Sequence, residues 1–274
     1  MKIFCVLVLM FLVLCSCTIY NEEHFDIDGV DAQVLTPKVF PDSGKANLLI
    51  YIHGNGENYL HRPEKDVLKH LIKNNYSYAC ITIQDESMPP FTNSNSGWGN
   101  EEAYNRVVAL YKYLMNRYPF NENVVLAGGS MGGLTLGQIL VRSDIPLKAA
   151  IGIGPVPSLR TIWANAPERR PAIRNAHNIN IDGLQDDLMD SVFNYSDPHE
   201  LLINANKKLP SYYLYYGEDD VFHRDFGGLN SYMDLKAVLE RKGSNVIVRS
   251  MGVIGHANKK LYKFAITDEI FINK

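Results

Sequence analysis

Residues 124–133 read VVLAGGSMGG, and this stretch decides the fold that the sequence predicts. A short uncharged apolar run is typical of a strand buried on both faces of a sheet. A Gly-x-Ser-x-Gly pattern centred on Ser130 follows it, and residues 131–141 have helical character. A strand, a glycine-rich turn and a helix are the context in which a nucleophilic serine is raised above a sheet edge. The Gly-x-Ser-x-Gly pattern alone often occurs by chance. The prediction therefore depends on the strand before it and the helix after it.

Predicted strands and helices alternate on both sides of this turn. Apolar runs typical of buried strands occupy 47–52, 78–83, 148–153, 211–216 and 245–249. Helical spacing of apolar residues marks 64–74, 101–118, 229–242 and 257–271. An edge strand that stops at Pro37 is predicted over 32–37. This alternation predicts an α/β fold with a mostly parallel central sheet and helices on both faces.

One connection departs from this alternation. Residues 157–208 are too many for a plain link between two strands, and they mix charges, prolines and candidate short helices. We predict a cap insertion over the C-terminal edge of the sheet, with a loose surface insertion as the alternative. Arg160 within it is expected on a solvated face, although contact with an anionic substrate is open. Trp98, in the polar loop 84–99, is predicted either to line a pocket or to anchor its loop.

Ser130 needs a base, and the base needs a carboxylate that orients it. In this kind of fold the acid and then the histidine follow the serine along the chain. Residues 217–222 read GEDDVF after one predicted strand, and His256 follows the last one. Both places lie just beyond strand ends, where open α/β sheets bind their ligands. The three adjacent acids are not expected to hold a cation, because they cannot all face one ion.

These features resemble the α/β-hydrolase family, and in particular its esterase and prolyl-oligopeptidase-like branches. The resemblance covers roughly residues 32–271, and it rests on His53-Gly-Asn-Gly56, the Ser130 turn, the Gly217 loop and Gly255-His256. It implies a serine hydrolase that cleaves carboxylic esters through an acyl-enzyme on Ser130, with neither cofactor nor metal. A serine peptidase with the same triad is the first alternative. A surface binding protein that keeps the fold without turnover is the second.

The resemblance also implies roles for individual residues. The acid in such proteins commonly lies three residues after the loop glycine, which points to Asp220, with Asp219 as the alternative. An oxyanion hole needs at least two donors aimed at one oxygen. The backbone amide of Met131 is the first implied donor. The amide of Asn55 is the second, with that of Gly56 as its alternative.

Residues 1–17 read MKIFCVLVLMFLVLCSC. A single positive charge before a short apolar run predicts an export signal, and the run is shorter than a membrane span of about 20 residues. Its end resembles a bacterial lipobox, so we predict cleavage after residue 16 and lipidation of Cys17. A plain signal peptide is the alternative. Residues 17–30 are predicted to be a tether and 31–274 the hydrolase domain, anchored on the periplasmic or cell-surface side of a bacterial membrane.

The composition sets further limits on partners. The 274 residues carry a formal charge of −3 and are 46% hydrophobic, which fits one large α/β domain or two small ones. Without a basic stripe, nucleic acid is not an expected partner. The expected partners are a small-molecule ester or peptide substrate and, through the lipid, a membrane. Cys80 would be the one cysteine left unmodified after processing, which excludes an intrachain disulfide.

Overall fold

The computed structural model describes residues 19–41, 44–84, 97–179, 186–220, 228–256 and 258–268. The predicted signal peptide, Cys17 and most of loop 84–99 lie outside these ranges, so export and lipidation stay predictions. None of the helices in the described ranges is long and apolar enough to span a membrane.

The described strands form one eight-stranded sheet with the order β1-β2-β4-β3-β5-β6-β7-β8. Their bounds are β1 Tyr20–Ile27, β2 Val30–Pro37, β3 Asn47–Ile52, β4 Tyr76–Ile81, β5 Val124–Gly129, β6 Leu147–Ile153, β7 Ser211–Tyr216 and β8 Val246–Ser250. Neighbours from β4 through β3 to β8 run parallel, and only the β1–β2 and β2–β4 pairs are antiparallel. The predicted, mostly parallel sheet is confirmed.

Helices cover both faces of the sheet, as predicted. They are α1 Lys65–Lys73, α2 Glu101–Arg117, α3 Gly132–Arg142, α4 Leu159–Asn165, α5 Arg170–Ala176, α6 Asp186–Ser196, α7 Pro198–Asn204, α8 Gly228–Arg241 and α9 Lys259–Thr267, with a 3-10 turn at Pro167–Arg169. One apolar core joins the sheet to α2, α3 and α8, and the other joins it to α1 and α9. Each fully buried leucine in these cores contributes about 2 kcal/mol. Packing on both faces therefore holds the strand ends firmly in place.

The prediction of a tether over 17–30 is wrong for the part that the structure describes, because residues 20–27 form strand β1. The hairpin to β2 turns at Asp28 and Gly29, whose φ angles are +54° and +84°. An Asp-Gly pair is a strong signal for such a turn, so this hairpin was predictable from the sequence. Phe25 attaches the strand to the body by stacking on Tyr113, with 4.5 Å between ring centroids. β2 is consequently an inner strand and not an edge strand.

The insertion between β6 and β7 is packed rather than loose. Helices α6 and α7 lie against α3, and α7 also contacts α8. The contact is close at Gly137, where a Cβ atom would lie 2.4 Å from the Cβ of Pro198. The buried Asp197 accepts hydrogen bonds from the Ser158 hydroxyl at 2.8 Å and from the Arg160 amide at 2.7 Å. The end of the insertion is thus tied back to its beginning.

Candidate active site

Ser130 occupies the tight turn between β5 and α3. Its φ is +48°, a conformation that costs a non-glycine residue of order 1–3 kcal/mol. The flanking glycines permit the close approach that this turn requires. A Cβ on Gly132 would lie 2.2 Å from the carbonyl oxygen of Ile52, and one on Gly129 would lie 2.3 Å from Tyr51 Oη. Larger residues at these two positions would push the helix and the neighbouring strand away from the serine.

Three side chains from three strand ends form a continuous hydrogen-bonded series. The Ser130 Oγ lies 2.8 Å from His256 Nε2, and His256 Nδ1 lies 2.7 Å from Asp220 Oδ2. Because a carboxylate only accepts, Nδ1 donates to Asp220, and Nε2 is left to accept from the serine hydroxyl. The side chain of Asp220 is fully buried and that of His256 is 19% exposed. The series therefore runs from the interior to an accessible serine.

The loop after β7 directs its three acids to three different groups. Glu218 Oε1 accepts from the Ser250 hydroxyl at 2.6 Å, and Asp219 Oδ1 accepts from the Gly255 amide at 2.5 Å. Asp220 alone of the three bonds the imidazole. Of the two acids left open by the sequence, the structure brings Asp220 to His256. Asp219 instead holds the backbone immediately before that histidine.

Both implied oxyanion donors border Ser130. Met131 follows the serine at the N-terminus of α3, where helix dipoles favour negative charge. Within the described ranges, its amide has no hydrogen-bond acceptor. On the other side, a Cβ on Gly54 would lie 3.2 Å from the Ser130 Cβ. The loop that carries Asn55 and Gly56 therefore passes directly beside Ser130.

His53 supports this loop and lies outside the hydrogen-bonded series of Ser130, His256 and Asp220. Its Nδ1 donates to the Gly54 carbonyl at 2.8 Å, and its Nε2 accepts from the Ile83 amide at 2.9 Å. Complete burial lowers the pKa of His53 to about 4, so the ring is neutral at pH 7. A neutral ring has one donor and one acceptor nitrogen, which these two contacts use completely.

Glu57 is a residue of the site that the sequence analysis missed. Its Oε2 accepts from the Gly54 amide at 2.8 Å and lies 3.4 Å from Tyr51 Oη. Its Oε1 lies 3.5 Å from His61 Nε2. In the sequence, the sign of this role is an acidic residue three positions after Gly54, directly after Gly56.

The sequence left alternative roles open for Trp98 and Arg160. Burial decides the role of Trp98, and ion pairs decide that of Arg160. Trp98 is 2% exposed, and its backbone amide donates to Met131 Sδ at 3.4 Å. The Trp98 side chain therefore packs in the core and does not line an open pocket. Arg160 pairs with Asp190 at 2.8 Å and with Glu200 at 3.2 Å. This cap arginine is neutralised by its own neighbours on a partly exposed surface.

The described residues form two cavities of similar size, and neither is lined by Ser130, Asp220 or His256. The first, about 530 Å³, lies beside α2 and reaches His177. The second, about 500 Å³, lies between the 57–64 loop and α9, and Glu57 and Tyr262 line it. The second cavity borders the loop of residues 53–57, because Glu57 contacts Gly54.

We expect acid to destabilise the protein partly through His177. Its Nε2 donates to the Trp98 carbonyl at 3.1 Å, and its Nδ1 accepts from Tyr195 Oη at 2.9 Å. Burial lowers the pKa of His177 to about 4. In the unfolded chain a histidine has a pKa of about 6.5. The unfolded state therefore binds more protons between these values, and stability falls as pH falls through that window.

Urea unfolding at pH 7.5 and pH 5 checks this expectation. We expect the loss of unfolding free energy between these pH values to be about 2 kcal/mol smaller in His177→Gln than in wild type. Asn175→Gln, an exposed position two residues away with no titratable group, is the control and should keep the wild-type pH dependence. An unchanged pH dependence in His177→Gln would contradict the argument.

No protein-family model and no curated protein matches this chain, but solved structures do. Pyrococcus horikoshii acylaminoacyl peptidase gives a TM-score of 0.69 at 16% identity, over 97% of this chain and 42% of that one. S-formylglutathione hydrolase from Staphylococcus aureus gives 0.63 at 15% identity, over 93% and 96%. Esterase B from Lactobacillus rhamnosis gives 0.65 at 12% identity, over 99% and 90%.

These similarities show the fold. The chain has an α/β-hydrolase fold of the prolyl-oligopeptidase-like type, as the sequence predicted. It spans about two fifths of the length of the acylaminoacyl peptidase and of a prolyl endopeptidase, 42% and 38%.

Proposed function

We propose that this protein is a serine hydrolase that cleaves carboxylic esters through an acyl-enzyme on Ser130. The observation that carries the proposal is the hydrogen-bonded series from Ser130 through His256 to the buried Asp220. A serine hydroxyl is a weak nucleophile that needs a positioned base, and the base needs an orienting partner. The strained turn that presents Ser130 and the esterases and peptidases among the solved structures of this fold add support.

In the first step, Ser130 Oγ attacks the ester carbonyl carbon and gives its proton to His256 Nε2. A bond forms between Oγ and the carbon, and the carbonyl π electrons move to the oxygen. The resulting imidazolium is stabilised by the Asp220 carboxylate, which keeps Nδ1 protonated and the ring in place. The 2.8 Å between Oγ and Nε2 is within the reach that proton transfer requires.

The negative oxygen of the tetrahedral intermediate needs donors fixed before the reaction begins. The amides of Met131 and Asn55 flank Ser130 in this role. Each such donor typically raises kcat by a factor of about 10²–10³. The positive end of α3 beside Met131 favours the same charge.

The intermediate then collapses. The bond from the carbonyl carbon to the alcohol oxygen breaks, and His256 returns its proton to the departing oxygen. Water, deprotonated by His256, attacks the acyl-enzyme in a second, equivalent cycle. Ser130 regains its proton, and the carboxylic acid leaves.

A peptidase acting through the same residues is the second candidate, since acylaminoacyl and prolyl peptidases have this fold. Assays of short acyl nitrophenyl esters beside aminoacyl and peptidyl nitroanilides decide between the two. We expect kcat/KM for an ester to exceed that for every amide by at least about tenfold. Equal or faster amide turnover would make the protein a peptidase, and no turnover of either would contradict the proposal.

A further inference from the structure

We propose that Glu57 is a positioning residue for the oxyanion hole. Its carboxylate fixes the backbone at Gly54 so that the next amide, that of Asn55, faces the reacting carbonyl at Ser130. The inference rests on the proposed function and deepens it. It concerns a side chain that touches neither the nucleophile nor the base among the described contacts.

The Gly54 amide is unavailable to a substrate because it is already used. It donates to Glu57 Oε2 at 2.8 Å, and a hydrogen bond to a carboxylate is about twice as strong as a neutral one. The same glycine lies against the nucleophile, since a Cβ on it would be 3.2 Å from the Ser130 Cβ. The Gly54 amide is therefore not the second oxyanion donor, and the family resemblance implies the amide of Asn55 in that role.

Two side chains fix the two peptide planes that meet at Gly54. Glu57 holds the plane before the glycine through the Gly54 N–H. His53 holds the plane after it by donating to the Gly54 carbonyl at 2.8 Å. That carbonyl and the Asn55 N–H belong to one planar trans peptide, so fixing one directs the other to the opposite side. The same carbonyl also accepts a longer hydrogen bond, 3.4 Å, from the Glu57 amide. Glycine adopts many backbone conformations, so loss of the carboxylate contact should loosen this plane.

The Glu57 carboxylate also contacts a tyrosine that packs against the Ser130 turn. The Tyr51 hydroxyl lies 3.4 Å from Glu57 Oε2, and it packs so closely on Gly129 that a Cβ there would be 2.3 Å away. The loop of residues 53–57 and the Ser130 turn thus both pack against the same buried tyrosine. A shift of one relative to the other would change the distance from donor to oxyanion, on which catalysis depends steeply.

The acceptor, and not the negative charge, is the useful property of Glu57. A carboxylate near a developing oxyanion opposes that charge, whereas an amide oxygen accepts the same hydrogen bond without it. Glu57→Gln should therefore keep kcat within about threefold of wild type. Glu57→Ala should lower kcat by about 10–100-fold with KM changed less than threefold, because an oxyanion donor is displaced rather than removed.

Glu64→Ala is the matched control. Glu64 lines the cavity that Glu57 also lines. It precedes α1 without capping the helix through its side chain. Its removal should therefore leave kcat unchanged. The side chain of Glu57 is 29% exposed, which makes a folded variant the expected outcome. If Glu57→Ala does not fold, Glu57→Asp repeats the test, because the shorter side chain withdraws the carboxylate from the Gly54 amide.

The experiment measures kcat and KM on a short acyl ester, and amide hydrogen exchange of residues 53–57 in the unreacted protein. We expect faster exchange and lower kcat in Glu57→Ala, with both restored in Glu57→Gln. Wild-type kcat in Glu57→Ala, unchanged exchange, or a Gln variant as impaired as the Ala variant would overturn the proposal. If wild type hydrolyses no ester, the proposed function fails, and the exchange data still decide the role of Glu57.

Discussion

Ser130→Ala is expected to lower kcat for ester hydrolysis by roughly 10⁶-fold, the effect typical of removing such a nucleophile. The attacking oxygen is lost, and His256 retains no hydroxyl to deprotonate. Residual turnover would come from substrate bound at the oxyanion donors and attacked by water. The fold should be unaffected, because the Ser130 side chain contacts His256 at the accessible end of the series.

Ester turnover and urea unfolding of the purified variant test this expectation together. Ser211→Ala is the control, since Ser211 begins β7 away from the strand end that carries Asp220. It should keep wild-type kcat. Ester hydrolysis within a few fold of wild type in Ser130→Ala would contradict the assignment of the nucleophile.

Asp220→Asn is expected to lower kcat by about 10⁴-fold. Asp220 is fully buried and accepts from His256 Nδ1 at 2.7 Å. An asparagine in its place can present its NH₂ group to the ring, and Nδ1 then becomes the acceptor and Nε2 carries the proton. A protonated Nε2 cannot take the serine proton. The loss should therefore appear in kcat more than in KM.

Asp219→Asn is the matched control for that result, because it removes the same charge one residue away. Asparagine keeps an acceptor oxygen for the Gly255 amide, which Asp219 now binds at 2.5 Å. We expect a loss of less than about fivefold, since the His256 loop stays in place. A larger loss in Asp219→Asn than in Asp220→Asn would reverse the assignment of the acid.

The sequence predicted the centre of the fold well because local and tertiary preferences agree there. The β5 strand, the Ser130 turn and α3 form one apolar, glycine-punctuated unit, and the structure has them at Val124–Gly129 and Gly132–Arg142. β1 was missed because its acidic residues suggested a solvated tether. The Asp28-Gly29 pair indicates its turn, but the strand is attached by Phe25 to a stacking partner 88 positions away, Tyr113, and no local pattern reveals that contact.

The order of acid and histidine in the sequence sufficed to locate the site, but not to choose between Asp219 and Asp220. Adjacent residues of a loop point in different directions, and their directions depend on the backbone between β7 and His256. Glu57 was missed for a related reason. Its value lies in a hydrogen bond to the amide of Gly54, and an acidic residue in a polar loop looks the same whether or not it reaches that amide.

Labelling by a fluorophosphonate probe, with the modified peptide located by mass spectrometry, tests the central claim most directly, because only an activated serine reacts. The account predicts one label per chain on the peptide that contains Ser130. It also predicts no label on Ser130→Ala and slow labelling of His256→Gln. A native protein that takes up no probe, or takes it up at another serine, would contradict the claim that Ser130 is the activated nucleophile.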